Sequence, residues 1–146
     1  MSIETKRDLG VLVLRLSLGA MFIAHALLKV LVFTLPGTIR FFEQVGYPGW
    51  TAYVVVAAEL GGGLALVAGV LTRLVAVMLL PVLAGAALVH WPNGWVFSAE
   101  GGGWEYPAFL AAVSLAVALA DRGAYSLLPD ARALRAVRAG PEWRMP

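Results

Sequence analysis

Five ionisable side chains stand inside or at the ends of long apolar runs: His25, Lys29, Glu59, His90 and Glu105. An ionisable group within a bilayer is costly, so each needs a partner or a task. His and Glu together supply hydrogen-bond partners and a proton acceptor, the groups that proton-coupled redox work on a quinol head with two oxygens requires. A second reading has Glu59 neutralising Lys29 or a nearby Arg, with the histidines satisfying hydrogen bonds inside a bundle. The same residues can also ligate a metal or haem, but no HExxH or ExxH spacing places two ligands on one helix, so no metal ligand set is assigned. There is no Walker loop and no GxGxxG, and the glycine runs do not stand between a strand and a helix.

The elements that must carry these residues follow from composition. Of 146 residues, 60% are hydrophobic and 14% charged, and the mean hydropathy is +0.81. Soluble domains are usually about 45–50% apolar and about 25% charged, so an integral membrane protein remains. A net charge of +2, not gathered on one soluble face, argues against a nucleic-acid partner. The absence of Cys excludes disulfide scaffolds, CxxC redox chemistry and thiolate-held clusters. A span needs about 20 mostly apolar residues, and four candidates are present, at about 9–35, 51–71, 74–91 and 104–120. Arg15 interrupts the first, and its hydrophobicity continues past Ala24-His25-Ala26, so a retained span rather than a cleaved signal peptide is expected. The expected fold is all-α, a polytopic bundle of four transmembrane helices over residues 1–128, with a basic tail at 129–146. Lys6, Arg7, Arg15, Arg73, Arg122 and the arginines of the tail share one side, against only Lys29 and Arg40 on the other. Both termini are therefore expected in the cytoplasm.

In that orientation the charged exceptions converge. The first span runs outward and the second inward, which puts His25 and Glu59 at similar depths, each about 12 Å below the outer end. His90 closes the third span at the same face and Glu105 opens the fourth. His25 and Lys29, four residues apart, share a helix face, and Arg15 falls on the same broad side. Gly61-Gly62-Gly63, with Ala58-xxx-Gly62 and Ala65-xxx-Gly69, predicts close helix packing or a loosened helix whose carbonyls line a site. Pro81 predicts a kink. Pro36–Gly46 predicts a short interfacial helix. Trp50, Trp91, Trp95, Trp104, Tyr47, Tyr53 and Tyr106 crowd the outer boundary, either as an aromatic belt or as planar walls beside a cofactor. In the tail, Asp130 and Gly140 bracket a short helix carrying Arg132, Arg135 and Arg138, suited to anionic lipid.

Three segments together resemble the DoxX family. These are His25-Ala26-Leu27-Leu28-Lys29, then Ala57–Leu74 (AAELGGGLALVAGVLTRL), then His90-Trp91-Pro92-Asn93-Gly94-Trp95 followed by Gly102-Gly103-Trp104-Glu105-Tyr106-Pro107. Ala26 departs from a position often occupied by Gly. The resemblance spans roughly Leu9 to Leu128 and implies a small bacterial-type inner-membrane protein, with some relatives tied to quinone-coupled sulfur oxidation or oxidative-stress assemblies. His25, Lys29, Glu59, Arg73, His90 and Glu105 match the family's recurring polar positions, Arg73 in an orienting and capping role. The expectation is a redox-linked membrane oxidoreductase subunit, with Glu59, His25 and His90 as catalytic groups and Lys29, Glu105, Trp104 and Tyr106 around a cofactor. No cofactor is assigned; a quinone is the foremost candidate, ahead of haem or metal. The partners are the lipid bilayer, another redox or membrane-complex protein, and a second copy in a homo-oligomer. The alternatives are a non-catalytic anchor or assembly factor, and a small-solute carrier working as an oligomer.

Overall fold

The computed structural model describes residues 1–120 and 123–127. Among them every regular element is helical, apart from a single bridge residue at Val70. Helix α1 (Ile3–Leu27) opens on Ser2, whose Oγ accepts the Thr5 N–H at 3.1 Å, and Glu4 in the first turn complements the helix dipole. It runs directly into one π-helical turn, Leu28–Val32. The chain then breaks at Thr34 (φ 61), which caps α2 (Leu35–Gln44) by accepting the Gly37 N–H, with Pro36 in the first turn. This is the short helix expected over Pro36–Gly46, and Gly46 (φ +90) follows it.

Helix α3 (Thr51–Ala68) stops where Gly69 turns left-handed and Val70 N–H reaches back to Ala65 O at 2.9 Å. Helix α4 (Thr72–His90) continues into a single tight turn at Trp91–Asn93, and α5 spans Glu105–Leu119. Helix α1 begins at Ile3, where Ser2 supplies a cap, ahead of the apolar span expected from about Leu9. One expected boundary moves. The break between α3 and α4 lies at Gly69–Leu71 rather than at Thr72-Arg73, because the left-handed backbone sits at Gly69 and Leu71. The expected tail helix around Arg132, Arg135 and Arg138 lies outside the described residues.

Three stretches are long and apolar enough to cross a membrane: Ile3–Val32, Thr51–Ala68 and Thr72–Asn93. Helix α5 is apolar but has only 15 residues, a rise of about 22 Å against about 30 Å of hydrocarbon. The most extensive packing joins α1 to α3 and α4 to α5, and further contacts of α3 with α4 and α1 with α5 close the bundle. Leu18, Phe22, Leu66, Leu79, Leu83 and Val117 form its core. Val13, Leu31, Leu64, Met78 and Phe109 stand exposed on the outside, as hydrocarbon-facing positions should.

Gly63 explains the tight α1–α3 pair. A Cβ there would lie 2.8 Å from Gly19 O and 3.0 Å from Ile23 N, and a Cβ at Gly19 would meet Gly63 O at 2.8 Å. The glycine run is thus a packing surface, and α3 stays helical through it. At the end holding the α3–α4 turn, Arg73 Nε donates to Ala118 O at 3.0 Å, satisfying a carbonyl in the last turn of α5.

Candidate functional site

The opposite end, where α2 lies, holds a partly open cavity of ≈ 380 Å³. Five elements build it: the last turns of α1 with the π turn, α2, the first half of α3, the second half of α4, and the start of α5. His25, Lys29, Glu59, His90 and Tyr106 all line it, so four of the five ionisable residues singled out by sequence meet around one space.

Lys29 and Glu59 form its charged floor. Lys29 Nζ lies 2.8 Å from both Glu59 carboxylate oxygens, and the side chains are only 19% and 7% exposed. The π turn is part of that geometry: widening the helix at Leu28–Val32 frees the Lys29 carbonyl, which accepts the buried Thr38 hydroxyl at 2.7 Å. Thr38 thereby ties α2 to the turn that carries the lysine.

His25 Nδ1 lies 2.8 Å from Met21 O, and because a carbonyl only accepts, that nitrogen carries the proton. The neutral ring then offers Nε2 as an acceptor. The ring also stacks on Tyr106, with centroids 5.8 Å apart and planes at 25°. The Tyr106 hydroxyl is buried with no hydrogen-bond partner, a costly arrangement for a polar atom.

His90 works in two directions. It lines the cavity, yet its Nδ1 faces Gly101 O at 3.0 Å and Gly102 O at 3.2 Å. Asn93 Nδ2 donates to the same two carbonyls at 3.0 and 2.9 Å. Glu105, by contrast, is not on the cavity wall: Glu105 Oε1 accepts the Phe97 N–H at 2.9 Å. The His90, Asn93 and Glu105 side chains thus knit the loop between α4 and α5. Trp104 is also off the cavity, stacked on Trp91 at 4.6 Å and edge-on to Trp95 at 4.4 Å. Trp50, Trp91 and Trp95 are each more than half exposed, in keeping with a belt at the membrane boundary.

Arg15 is not part of this cluster. It is buried at the other end, where its Nη2 donates to Ala124 O and Tyr125 O at 3.3 Å each. Its Nε and Nη1 are buried without partners. Its helical phase matches that of Lys29, but fourteen residues of rise separate the two by about 21 Å. Sequence reasoning missed the wall that α2 contributes through Phe41, Phe42 and Val45. Its amphipathic spacing was the available signal. Among the described residues no three His, Asp or Glu side chains are gathered as a metal-binding group.

An all-helical bundle whose described residues include three helices long and apolar enough to span, with exposed apolar flanks and a few ionisable groups gathered in one cavity, defines a multi-pass membrane protein. The DoxX family model matches residues 10–91, more than half of the chain, and the protein belongs to that family. It is 40% identical over 81 residues to "Putative oxidoreductase CatD" of Bacillus subtilis (strain 168), covering 56% of this chain and 59% of that protein. It is 39% identical over 66 residues to "Inner membrane protein YqjF" of Escherichia coli (strain K12), covering 45% and 49% respectively. The matches thus span about half the length of each of these curated relatives. No solved structure matches the chain.

Proposed function

We propose that this chain is a redox-linked inner-membrane subunit whose cavity, in the half expected to face outward, takes the head group of a quinone. The observation that carries the reading is the convergence of His25, Lys29, Glu59, His90 and Tyr106 on one cavity of ≈ 380 Å³, within the range of about 300–1,000 Å³ typical of ligand sites. The residues suit such a head: apolar side chains for the ring, few polar groups, and a buried Tyr106 hydroxyl lacking a partner. A quinone would supply the electron carrier there, with electrons passing between it and a partner protein. Lys29 and Tyr106 would donate hydrogen bonds to the ring oxygens, and Nε2 of His25 and of His90 would accept from the hydroxyls of the reduced, quinol form. Glu59, its charge held in place by Lys29, would accept a proton released as the quinol is oxidised, the electrons leaving to the partner. The word oxidoreductase in one relative's name and the inner-membrane label of another lean the same way.

The test is the Glu59→Gln variant, which keeps an amide oxygen facing Lys29 but removes the proton acceptor. Quinone-dependent turnover should disappear while the protein stays folded in detergent; unchanged turnover rejects the reading.

One observation favours the rival, a non-catalytic anchor or assembly factor. Lys29 and Glu59 already satisfy each other, and both histidines hold backbone carbonyls. On that reading the same substitution lowers protein abundance or recovery of a co-purifying partner, with no redox activity to lose.

A further inference from the structure

The cavity holds its one charged pair, Lys29 and Glu59, away from an apolar mouth, and the geometry points to lateral loading from the bilayer. Its occupant is a membrane-dissolved amphiphile whose ring rests near Lys29 and Glu59 and whose alkyl tail leaves between α2 and α4, past Gly85. This deepens the quinone reading and rests on it.

The mouth is marked by the cavity-lining residues that are themselves exposed. Phe41, Val45 and Tyr47 are 45%, 37% and 37% exposed, and Pro81 is exposed across from them on α4. Phe22, Glu59, Leu83 and Leu110, at the closed end, are buried. Helix α2 packs on α3 and on the π turn, and no comparable packing joins it to α4. The mouth therefore opens between those two helices.

The mouth opens onto hydrocarbon. Pro81 and Gly85 precede the end of α4 at His90 by about 13 Å and about 7 Å of helix. They sit along the apolar length of α4, short of its polar end. No charged side chain marks the rim, as a water-soluble substrate would favour; Phe41, Val45 and Pro81 offer apolar surface to a tail, and the Tyr47 hydroxyl stands beside Gly85. Gly85 keeps the gap open: a Cβ built on it meets only the Tyr47 hydroxyl, at 4.0 Å. A bulky side chain at this position has room only by filling the gap.

The test compares two probes on protein in lipid nanodiscs, dimethoxy-methyl-benzoquinone without a tail and its decyl derivative, read by quenching of intrinsic tryptophan fluorescence. Gly85→Phe should weaken the decyl compound by about tenfold or more and the tail-less ring by less than about twofold. Gly85→Ala, which adds only the tolerated Cβ, should leave both within about twofold. Val45→Trp narrows the same gap from the α2 side and should reproduce the discrimination, so the result does not depend on the folding of one variant. Equal weakening of both probes, or of neither, overturns lateral loading while leaving the ring site standing. Failure of the wild-type protein to take up either probe overturns the quinone reading and this inference together.

Discussion

Lys29→Met removes one partner from a charge pair that the bundle has already withdrawn from solvent. Both Glu59 oxygens lose contacts of 2.8 Å, and the carboxylate left behind sits on a side chain only 7% exposed. Stranding a buried charge in this way costs roughly 3–5 kcal/mol. Glu59→Gln should cost less, about 1–3 kcal/mol, because the amide still accepts a hydrogen bond. The lysine is also 19% exposed, and its long stem lets the ammonium move toward a wetter position. With both substitutions no uncompensated charge remains, so the double variant should be more stable than Lys29→Met alone. The coupling energy should be at least about 2 kcal/mol. Equilibrium unfolding by sodium dodecyl sulfate in mixed micelles, followed by far-ultraviolet circular dichroism, gives all four corners of the cycle. Single effects that add to the double within about 0.5 kcal/mol would refute the argument that the pair acts as one buried unit.

Three further outcomes follow from the packing and the orphaned polar atoms. Gly63→Ala drives a methyl to within 2.8 Å of Gly19 O, whereas at Gly61 a Cβ meets nothing within 4 Å. The same unfolding assay should show a loss of about 1–3 kcal/mol for the first and a gain of up to about 1 kcal/mol for the second. Arg15→Met cuts the guanidinium bonds to Ala124 O and Tyr125 O while also removing two buried donors without partners. Global stability should therefore change little, while limited proteolysis near residues 123–127 accelerates. Tyr106→Phe removes a buried hydroxyl that bonds to nothing, so the empty protein should be unharmed or up to about 1 kcal/mol more stable, while quinone affinity falls.

The bundle was legible in the sequence because hydrocarbon imposes long apolar runs with few exceptions, and those exceptions announced themselves. The short helix α2 was legible through Pro36 and Gly46, which carry local backbone rules. The meeting of His25, Lys29, Glu59 and His90 around one space followed from depth, since each helix delivers its residue to the same end. Depth also separates Arg15, whose helical phase matches Lys29 but whose rise takes it to the other end. The π turn at Leu28–Val32 had no signal in its residues, since Leu, Lys and Val fit an ordinary helix equally well. It is fixed by a tertiary bond, from Thr38 to the Lys29 carbonyl. The separate positions of Tyr106 on the cavity and its neighbours Trp104 and Glu105 off it were equally out of reach. They depend on the rotation of α5 and on how the preceding loop folds back upon His90. Of the three small positions Gly61, Gly62 and Gly63, spacing alone could not say that Gly63 meets the opposite backbone while Gly61 meets nothing.

The central claim is that a quinone-type ring occupies the cavity walled by Lys29, Glu59 and Tyr106. Its most direct test is a titration of wild-type and Tyr106→Phe protein in nanodiscs with the tail-less benzoquinone, monitored by tryptophan quenching and by mass spectrometry of the retained ligand. Saturable binding to the wild-type chain, with one ring per cavity, and clear weakening in the variant are expected. Quenching that rises without saturation, and to the same extent in both proteins, would contradict it.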